Sequence, residues 1–330
     1  MWITSSLTTA KTPTRVALGN FDGVHRGHQQ VIQPVLSQAH SDSLPAVLPA
    51  VLPTVVTFHP HPRQFFTGEA RSLLTPLEEK IQILRSIGVQ QLVLLPFNEA
   101  LANLSPEDFV RRILVESLQA QQVSVGENFC FGYRRSGTAI DLKNLAAQYD
   151  IPVEIVPLHC SDDERISSSA IREALTAGDP QRAGRLLGRP YELVGQIVQG
   201  QQLGRTIGFP TANVQVPPDK FLPRLGVYSV WVSSVEAQQI RGVMNIGNRP
   251  TVSGQQQTIE VHLLDWSGDL YGKTLTVALD RFLRPEQKFG SLDELKVQIQ
   301  RDCVAARAGE QGRGEGVIAS GRNFLERRSS

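Results

Sequence analysis

The sequence predicts an α/β protein in two parts: a doubly wound, mostly parallel sheet, then an antiparallel β-barrel with a terminal helix. Three observations predict it. In the first half, short and nearly continuous apolar runs alternate with helical patterns, as strands buried on both faces and joined by helices do. Near residues 178 to 190 the chain turns polar, Gly-rich and basic (GDPQRAGRLLGRP). Beyond that point β-rich runs follow one another with turn residues and no helix between them, the pattern of a closed or nearly closed barrel. The resulting division is 1–184, 185–305 and a loose tail, 306–330.

The elements follow in order. TRVALG, TVVTF, QLVLLPF, QVSVG and PVEIVPL read as the parallel strands. Thr75-Pro76 and Ser105-Pro106 each place a capping residue before a Pro at the first helical position, and Gly88 ends the former helix. Residues 40 to 53, with a duplicated AVLP, read as a loop insertion. In the second half YELVGQIV, TANVQV, GVYSVWVSSV, IRGVMNIG, TIEVHLLDW and TLTVALDRFL read as barrel strands. Ser291 with Glu294 three residues on predicts a capping box opening the last helix. GDLYGKT, residues 268–274, resembles a Walker loop, but it has three residues between its glycines and no strand-to-helix context, so it reads as a β-turn.

Composition narrows the function. Lys and Arg number 33 against 32 Asp and Glu in 330 residues, so no long-range positive field points to nucleic acid or an anionic membrane. Small molecules are the expected partners, and nothing in the sequence sets an oligomeric state. The three cysteines, Cys130, Cys160 and Cys303, lie far apart and in no CxxC spacing, which fits a reducing cytoplasm better than a disulfide framework. The longest apolar run is broken by prolines and too short to span a bilayer.

In an open parallel sheet, ligands bind beyond the carboxyl ends of the strands. The suggestive motifs obey that rule: GNFDGVHRGH follows the first predicted strand, HPHPR the second and GENFCFGYRRSG the fourth, while ISSSAIR lies just beyond the fifth. Gly19 and Gly23 let the backbone turn tightly, and a helix beginning near Arg26 or Gly27 aims free N–H groups and its dipole at whatever lies there. A phosphate is the natural guest. His25 and His28 share a face and can donate to phosphate oxygens; a capped helix with surface histidines, or a metal pair completed by His59 and His61, are the alternatives. Ser167 to Ser169 read as an N-cap, and Arg172, one turn on, as a clamp for a polyphosphate. Asn128 and Phe129 stand where a base or ribose would be recognised. In the second half, Gly204 and Gly208 supply a flexible arch before Pro210. Thr211 and Asn213 then place a hydroxyl and an amide oxygen on one side of a strand, neutral ligands suited to Mg²⁺ carried in by nucleotide phosphates. Glu260 in TIEVHLLDW reads either as a solvent-facing strand residue or as a functional carboxylate.

GNFDGVHRGH, FHPHP, GENFCFG and ISSSAIR together resemble the adenylyltransferase half of the prokaryotic bifunctional riboflavin kinase/FMN adenylyltransferase (FAD synthetase) family, a Rossmann-like branch of the HxGH nucleotidyltransferases. GRTIGFPTANV, GVMNIGNRPTV and FLRPEQKF resemble its riboflavin kinase module, and the match spans nearly all of residues 15 to 303. The resemblance implies ATP as substrate, with Mg²⁺, and conversion of riboflavin to FMN and of FMN to FAD. It implies that His25 and His28 hold the ATP phosphates within a loop of Gly19, Asn20, Phe21, Asp22 and Gly23, that Asn128 contacts the nucleotide, and that Ser168, Ser169 and Arg172 close over the triphosphate. In the kinase half it implies a nucleotide site of Gly204, Arg205, Gly208, Pro210, Thr211 and Asn213, with Thr211 and Asn213 binding Mg-ATP, Glu260 as base, and Arg284 and Glu286 near the flavin. Two positions depart from the family pattern: His59 replaces an acid and ISSS replaces ISST. The rival readings are a single-activity enzyme with one decayed half, and a flavin-binding regulatory barrel tethered to a nucleotide-binding domain.

Overall fold

The computed structural model describes residues 1–37, 50–157, 160–161, 164–199, 204, 207–233, 239–251 and 254–308. Two compact units emerge. One comprises residues 1–173, 183–189 and 217–222; the other comprises 174–182, 190–216 and 223 onward. The division read from sequence at 184/185 falls inside a helix; residues 185–189 and 217–222 lie in the first unit, and 174–182 in the second.

In the first half the order is β1 (Trp2–Thr4), β2 (Thr14–Leu18), α1 (Arg26–Ser37), β3 (Leu52–His59), α2 (Pro62–Thr67), α3 (Leu77–Ser86), β4 (Gln91–Pro96), α4 (Glu99–Ala102) and α5 (Pro106–Phe109), which runs on as a π-helical stretch to Ser117. Then follow β5 (Ala120–Gly126), the short pair β6 (Cys130–Phe131) and β7 (Gly137–Thr138), α6 (Ala139–Ala147), β8 (Val153–Val156), the short pair β9 (Cys160–Ser161) and β10 (Glu164–Arg165), α7 (Ser168–Ala177) and α8 (Pro180–Leu187). All five predicted strands form, joined by β1, in a parallel sheet of order β1-β4-β3-β2-β5-β8. The alternation of β2 shows why its run is continuously apolar: Val16 and Leu18 pack into one core, and Ala17 into the other. The strand order reverses between β2 and β5, which opens a crevice at their carboxyl ends. Of the expected 40–53 insertion, residues 40–49 lie outside the described residues, and Leu52 and Pro53 are the first two residues of β3.

Two capping expectations are corrected. Pro76, not Thr75, is the N-cap of α3; the Thr75 hydroxyl instead accepts the Gly23 N–H at 2.9 Å, since the loop after β2 leaves that donor with no other partner. At the last helix, α9 (Leu292–Arg307), Ser291 Oγ does accept the Glu294 N–H, but Glu294 takes its return bond from Gly290 N–H, so the box is only half formed. Ala306 and Arg307 belong to α9, so the tail begins later than residue 306; residues 309–330 lie outside the described residues.

The second unit is a closed barrel of β11 (Glu192–Val198), β12 (Ala212–Gln215), β13 (Gly226–Ser233), β14 (Gln239–Thr251), β15 (Gly254–Leu263) and β16 (Thr274–Arg284), ordered β11-β12-β15-β14-β13-β16 with every pairing antiparallel. Val230, Met244, Ile246, Val261 and Val277 are buried. The GDLYGKT segment is the turn between β15 and β16.

Residues 217–222 join the first unit through backbone bonds, Leu73 N–H to Asp219 O and Phe221 N–H to Leu73 O, and through a buried ion pair. Lys220 Nζ meets Glu79 Oε2 at 2.5 Å and also donates to Leu74 O. Removing one partner strands the other charge in an apolar surround. Lys220→Met is expected to destabilise the first unit by about 3–5 kcal/mol, read as an earlier thermal transition.

Candidate active site

The loop after β2 is held open under strain. Phe21 (φ 48°), Gly23 (φ 94°) and Val24 (φ 40°) all adopt left-handed backbone, two of them without glycine's freedom, and such strain persists only where the surroundings impose it. The surroundings converge on Asp22, which is 3% exposed. Its Oδ1 accepts the Leu74 and Thr75 N–H groups, its Oδ2 meets Arg172 at 2.5 Å, and its carbonyl accepts the Ser168 hydroxyl. Arg189 donates to the carbonyls of Gly23 and Val24, and the Asn20 carbonyl accepts from Thr57 Oγ1 and Lys80 Nζ.

This loop delivers the chain to α1, whose N-terminus at Arg26 carries the two histidines. Their rings stack at 3.6 Å between centroids and 16° between planes. His25 is buried, which removes the surface-histidine alternative for it. Lone pairs lie in the ring plane, so two parallel rings do not converge on one ion, and the metal-pair alternative loses its geometry. His25 Nδ1 accepts the His28 N–H at 3.2 Å, which leaves Nε2 of His25 as the protonated nitrogen and a donor. Burial, only partly offset by Asp22, pushes the His25 pKa down to about 4. His28 is held well below the usual histidine range by burial and then by His25, Lys80 and Arg189. Both rings are neutral at pH 7, although cations surround them.

Further along the same edge of the sheet, His61 caps α2 by accepting the Arg63 N–H, and Arg71 lies 3.1 Å from its other ring nitrogen. Burial and Arg71 lower the His61 pKa to about 4. His59 is exposed at the end of β3, and Asn128 and Ser169 are exposed. Ser167, not Ser168, caps α7, which frees the Ser168 hydroxyl for Asp22. Phe58, Phe65, Phe66 and Phe97 meet edge to face beside this edge, with Phe66 70% exposed. Arg172 is brought to Asp22, the Ser72 carbonyl and the face of Phe221. Sequence reasoning missed Lys80, Arg189, Thr75 and Arg71. Only Lys80 left a signal, a charge on the apolar face of LEEKIQIL.

In the barrel the register assembles a second cluster. Glu260 on β15 stands opposite Asn213 of β12 on one side and Asn245 of β14 on the other. Ile259 and Val261 are buried while Glu260 is half-buried, so these three polar residues share the face turned away from the barrel core. Thr211, two residues before Asn213, lies just ahead of β12. His262 Nδ1 is 2.8 Å from the Pro210 carbonyl. A groove of about 750 Å³ runs beside this arch, lined by Gly208, Phe209, Pro210, His262, Trp266 and Cys303 among others. Gly204 accepts the Phe209 N–H through its carbonyl, and Arg205 lies outside the described residues. Of the two expected flavin contacts, the Glu286 carboxylate lies against Gly247, in the space a side chain there would take. Arg284 pairs in a two-pronged contact with buried Asp302, which anchors α9 to β16.

Comparison with known proteins covers both halves of the chain. A family model described as FAD synthetase matches residues 7–170, and one described as riboflavin kinase matches residues 187–309. The chain is 41% identical over 297 residues to the bifunctional riboflavin kinase/FMN adenylyltransferase of Escherichia coli (strain K12), covering 88% of this chain and 91% of that protein. It is 42% identical over 292 residues to the protein of the same description from Pseudomonas fluorescens, with the same coverage. A solved structure described as a macrolide-efflux protein from Streptococcus pneumoniae superposes with a TM-score of 0.81 and 32% identity, covering 92% of this chain and 98% of the other. Efflux is not carried to this chain; no helix among its described residues is long and apolar enough to cross a membrane. Fold and sites thus define a two-domain protein with a nucleotidyltransferase-type parallel sheet and a flavokinase-type barrel. The chain belongs to the bifunctional riboflavin kinase/FMN adenylyltransferase family.

The lowered histidine pKa values set a pH dependence. Below pH 6.5 the unfolded chain binds protons that the folded site refuses until about pH 4, so stability is complete above that window and falls through it on acidification. The slope is about 1.4 kcal/mol per pH unit for His25. Chemical denaturation of the first unit at successive pH values is expected to show this slope, and His25→Gln to flatten it.

Proposed function

We propose that the two clusters are separate ATP-using sites of flavin cofactor synthesis. The barrel phosphorylates riboflavin to FMN and releases ADP; the parallel-sheet unit transfers AMP from a second ATP to FMN, giving FAD and pyrophosphate. The observation that carries this reading is the division of chemistry between the halves. The barrel sets a half-buried carboxylate between two amides, whereas the buried carboxylate of the first site, Asp22, is committed to Arg172 and two backbone N–H groups.

The two reactions need that division. The terminal hydroxyl of the ribityl chain is a poor nucleophile. Glu260 takes its proton as the oxygen bonds to the γ-phosphorus and the bond to ADP breaks. Thr211 and Asn213 offer neutral, hard oxygens beside that carboxylate, a donor set that fits Mg²⁺ arriving with ATP phosphates, and they would hold it there. When bound, the ion neutralises charge on the phosphates. The groove beside Phe209 and His262, walled by apolar and aromatic side chains, suits the base of that nucleotide.

Adenylyl transfer asks for something else. The FMN phosphate already carries about −1.5 to −2 charges near pH 7, and it must approach the α-phosphorus of another anion while pyrophosphate departs. No base is required. His25 Nε2–H, the α1 N-terminus and the neighbouring Arg172, Arg189 and Lys80 offset that repulsion. Asn128 and Ser169, exposed on the same edge, are available to the nucleotide, and the Phe58, Phe65, Phe66 and Phe97 cluster offers an aromatic surface to the flavin. A cytoplasmic location completes the reading, supported by free thiols at Cys130 and Cys303.

Purified protein given riboflavin, ATP and Mg²⁺ is expected to yield FMN and then FAD, separated by chromatography. Glu260→Ala is expected to abolish FMN formation and spare FAD formation from supplied FMN. His28→Ala is expected to do the reverse, with a loss of about 10²-fold or more. Loss of both activities from either substitution would count against separate sites.

A further inference from the structure

Two lysines are buried in the first unit, and they are treated differently. Lys220 has a carboxylate, Glu79, within ion-pair distance. Lys80, the next residue along α3, has none among the described residues: the residue is only 8% exposed, and its ammonium makes a single hydrogen bond there, to the Asn20 carbonyl at 2.9 Å. That carbonyl is already satisfied by Thr57 Oγ1 at 3.0 Å, so the loop does not need Lys80 to complete its bonding. A buried cation with one backbone acceptor is a net cost to the fold, because desolvation of an ammonium exceeds what one carbonyl returns. Burial accordingly lowers its pKa to about 8, with Asp22 pulling the other way.

The charged and titratable groups around it complete the picture. Asp22 is nearby but spends its carboxylate on Arg172 and two N–H groups. His28 on α1 and His61 at the start of α2 both feel the positive charge of Lys80, and Arg71, Arg172 and Arg189 add to the same positive field. Among the acids of the described residues, Asp22 is the one whose charge acts on His25, His61 and Lys80, while Lys80, Arg71, Arg172 and Arg189 act on the histidines as cations, a field that suits a polyphosphate.

We propose that Lys80 is a further positioning residue of the adenylyl-transfer site: from beneath the loop after β2 it fixes the Asn20 carbonyl and lends its positive charge to the bound triphosphate. The inference rests on the adenylyl-transfer reading of this site. Lys80 reaches the reaction through that loop and through its field on His28, and the chain retains it at the expense of stability, as functional sites do.

The test compares wild type, Lys80→Met and Lys80→Arg in the full-length protein, using inorganic triphosphate and ATP as probes. Lys80→Met is expected to unfold at or above the wild-type temperature without ligand, to lose the upward shift that triphosphate gives the wild type, and to form FAD from FMN about 10²-fold more slowly. Lys80→Arg is expected to restore most of both. Riboflavin phosphorylation, in the other unit, should be unchanged in all three. A merely structural lysine would instead lower the ligand-free transition when replaced by Met. That outcome, failure of Lys80→Met to fold, or wild-type FAD formation by Lys80→Met would overturn the proposal. If the wild type itself makes no FAD from FMN, the reading of the site fails, and not this inference alone.

Discussion

The first unit depends on one carboxylate. Asp22 ties the loop after β2 to the segment entering α3 through two N–H bonds, to α7 through Arg172, and through its carbonyl to Ser168. Burying an ion is costly unless it is paired and fully bonded. Asp22 meets that requirement, and in doing so it fixes the backbone in left-handed conformations that Phe21 and Val24 would not choose unaided. The strain of the loop and the position of both histidines follow from that single set of bonds.

The same economy explains the electrostatics. With Asp22 committed, the cations around the α1 N-terminus face one another, and burial keeps the imidazoles neutral. A neutral histidine still donates through Nε2–H, so the site can bind an anion without first binding protons. On the proposed reading, a polyphosphate entering here adds negative charge to this cluster of cations.

The barrel solves a different problem by different means. Its cluster depends on register: antiparallel pairing sets Asn213, Glu260 and Asn245 side by side, and a slip of one residue would turn Glu260 into the core. Two ion pairs of this unit do mechanical work. Arg284 holds α9 through Asp302, and Arg241 with Asp280 and Ser229 forms a buried network. Arg284, expected near the flavin, thus also serves the scaffold.

Much was legible in the chain itself, because much is local. Continuous apolar runs, capping residues and glycine-bearing turns reflect the chemistry of neighbouring residues, and they fixed the two architectures, the five strands TRVALG to PVEIVPL, the barrel, and the motifs at the strand ends. Strand β1 escaped because three residues carry no period. Tertiary structure alone decided what each polar group would face. Arg172 reads as a phosphate clamp in ISSSAIR, yet in the folded unit it meets Asp22, 150 positions away in the chain. Thr75 caps no helix because Gly23 claims its hydroxyl, and Lys80 and Arg189 reach the site from segments with no motif to announce them. Capping and periodicity are settled within a few residues of sequence, whereas the partner of a buried charge is chosen by the whole fold, since only there does losing water force the choice.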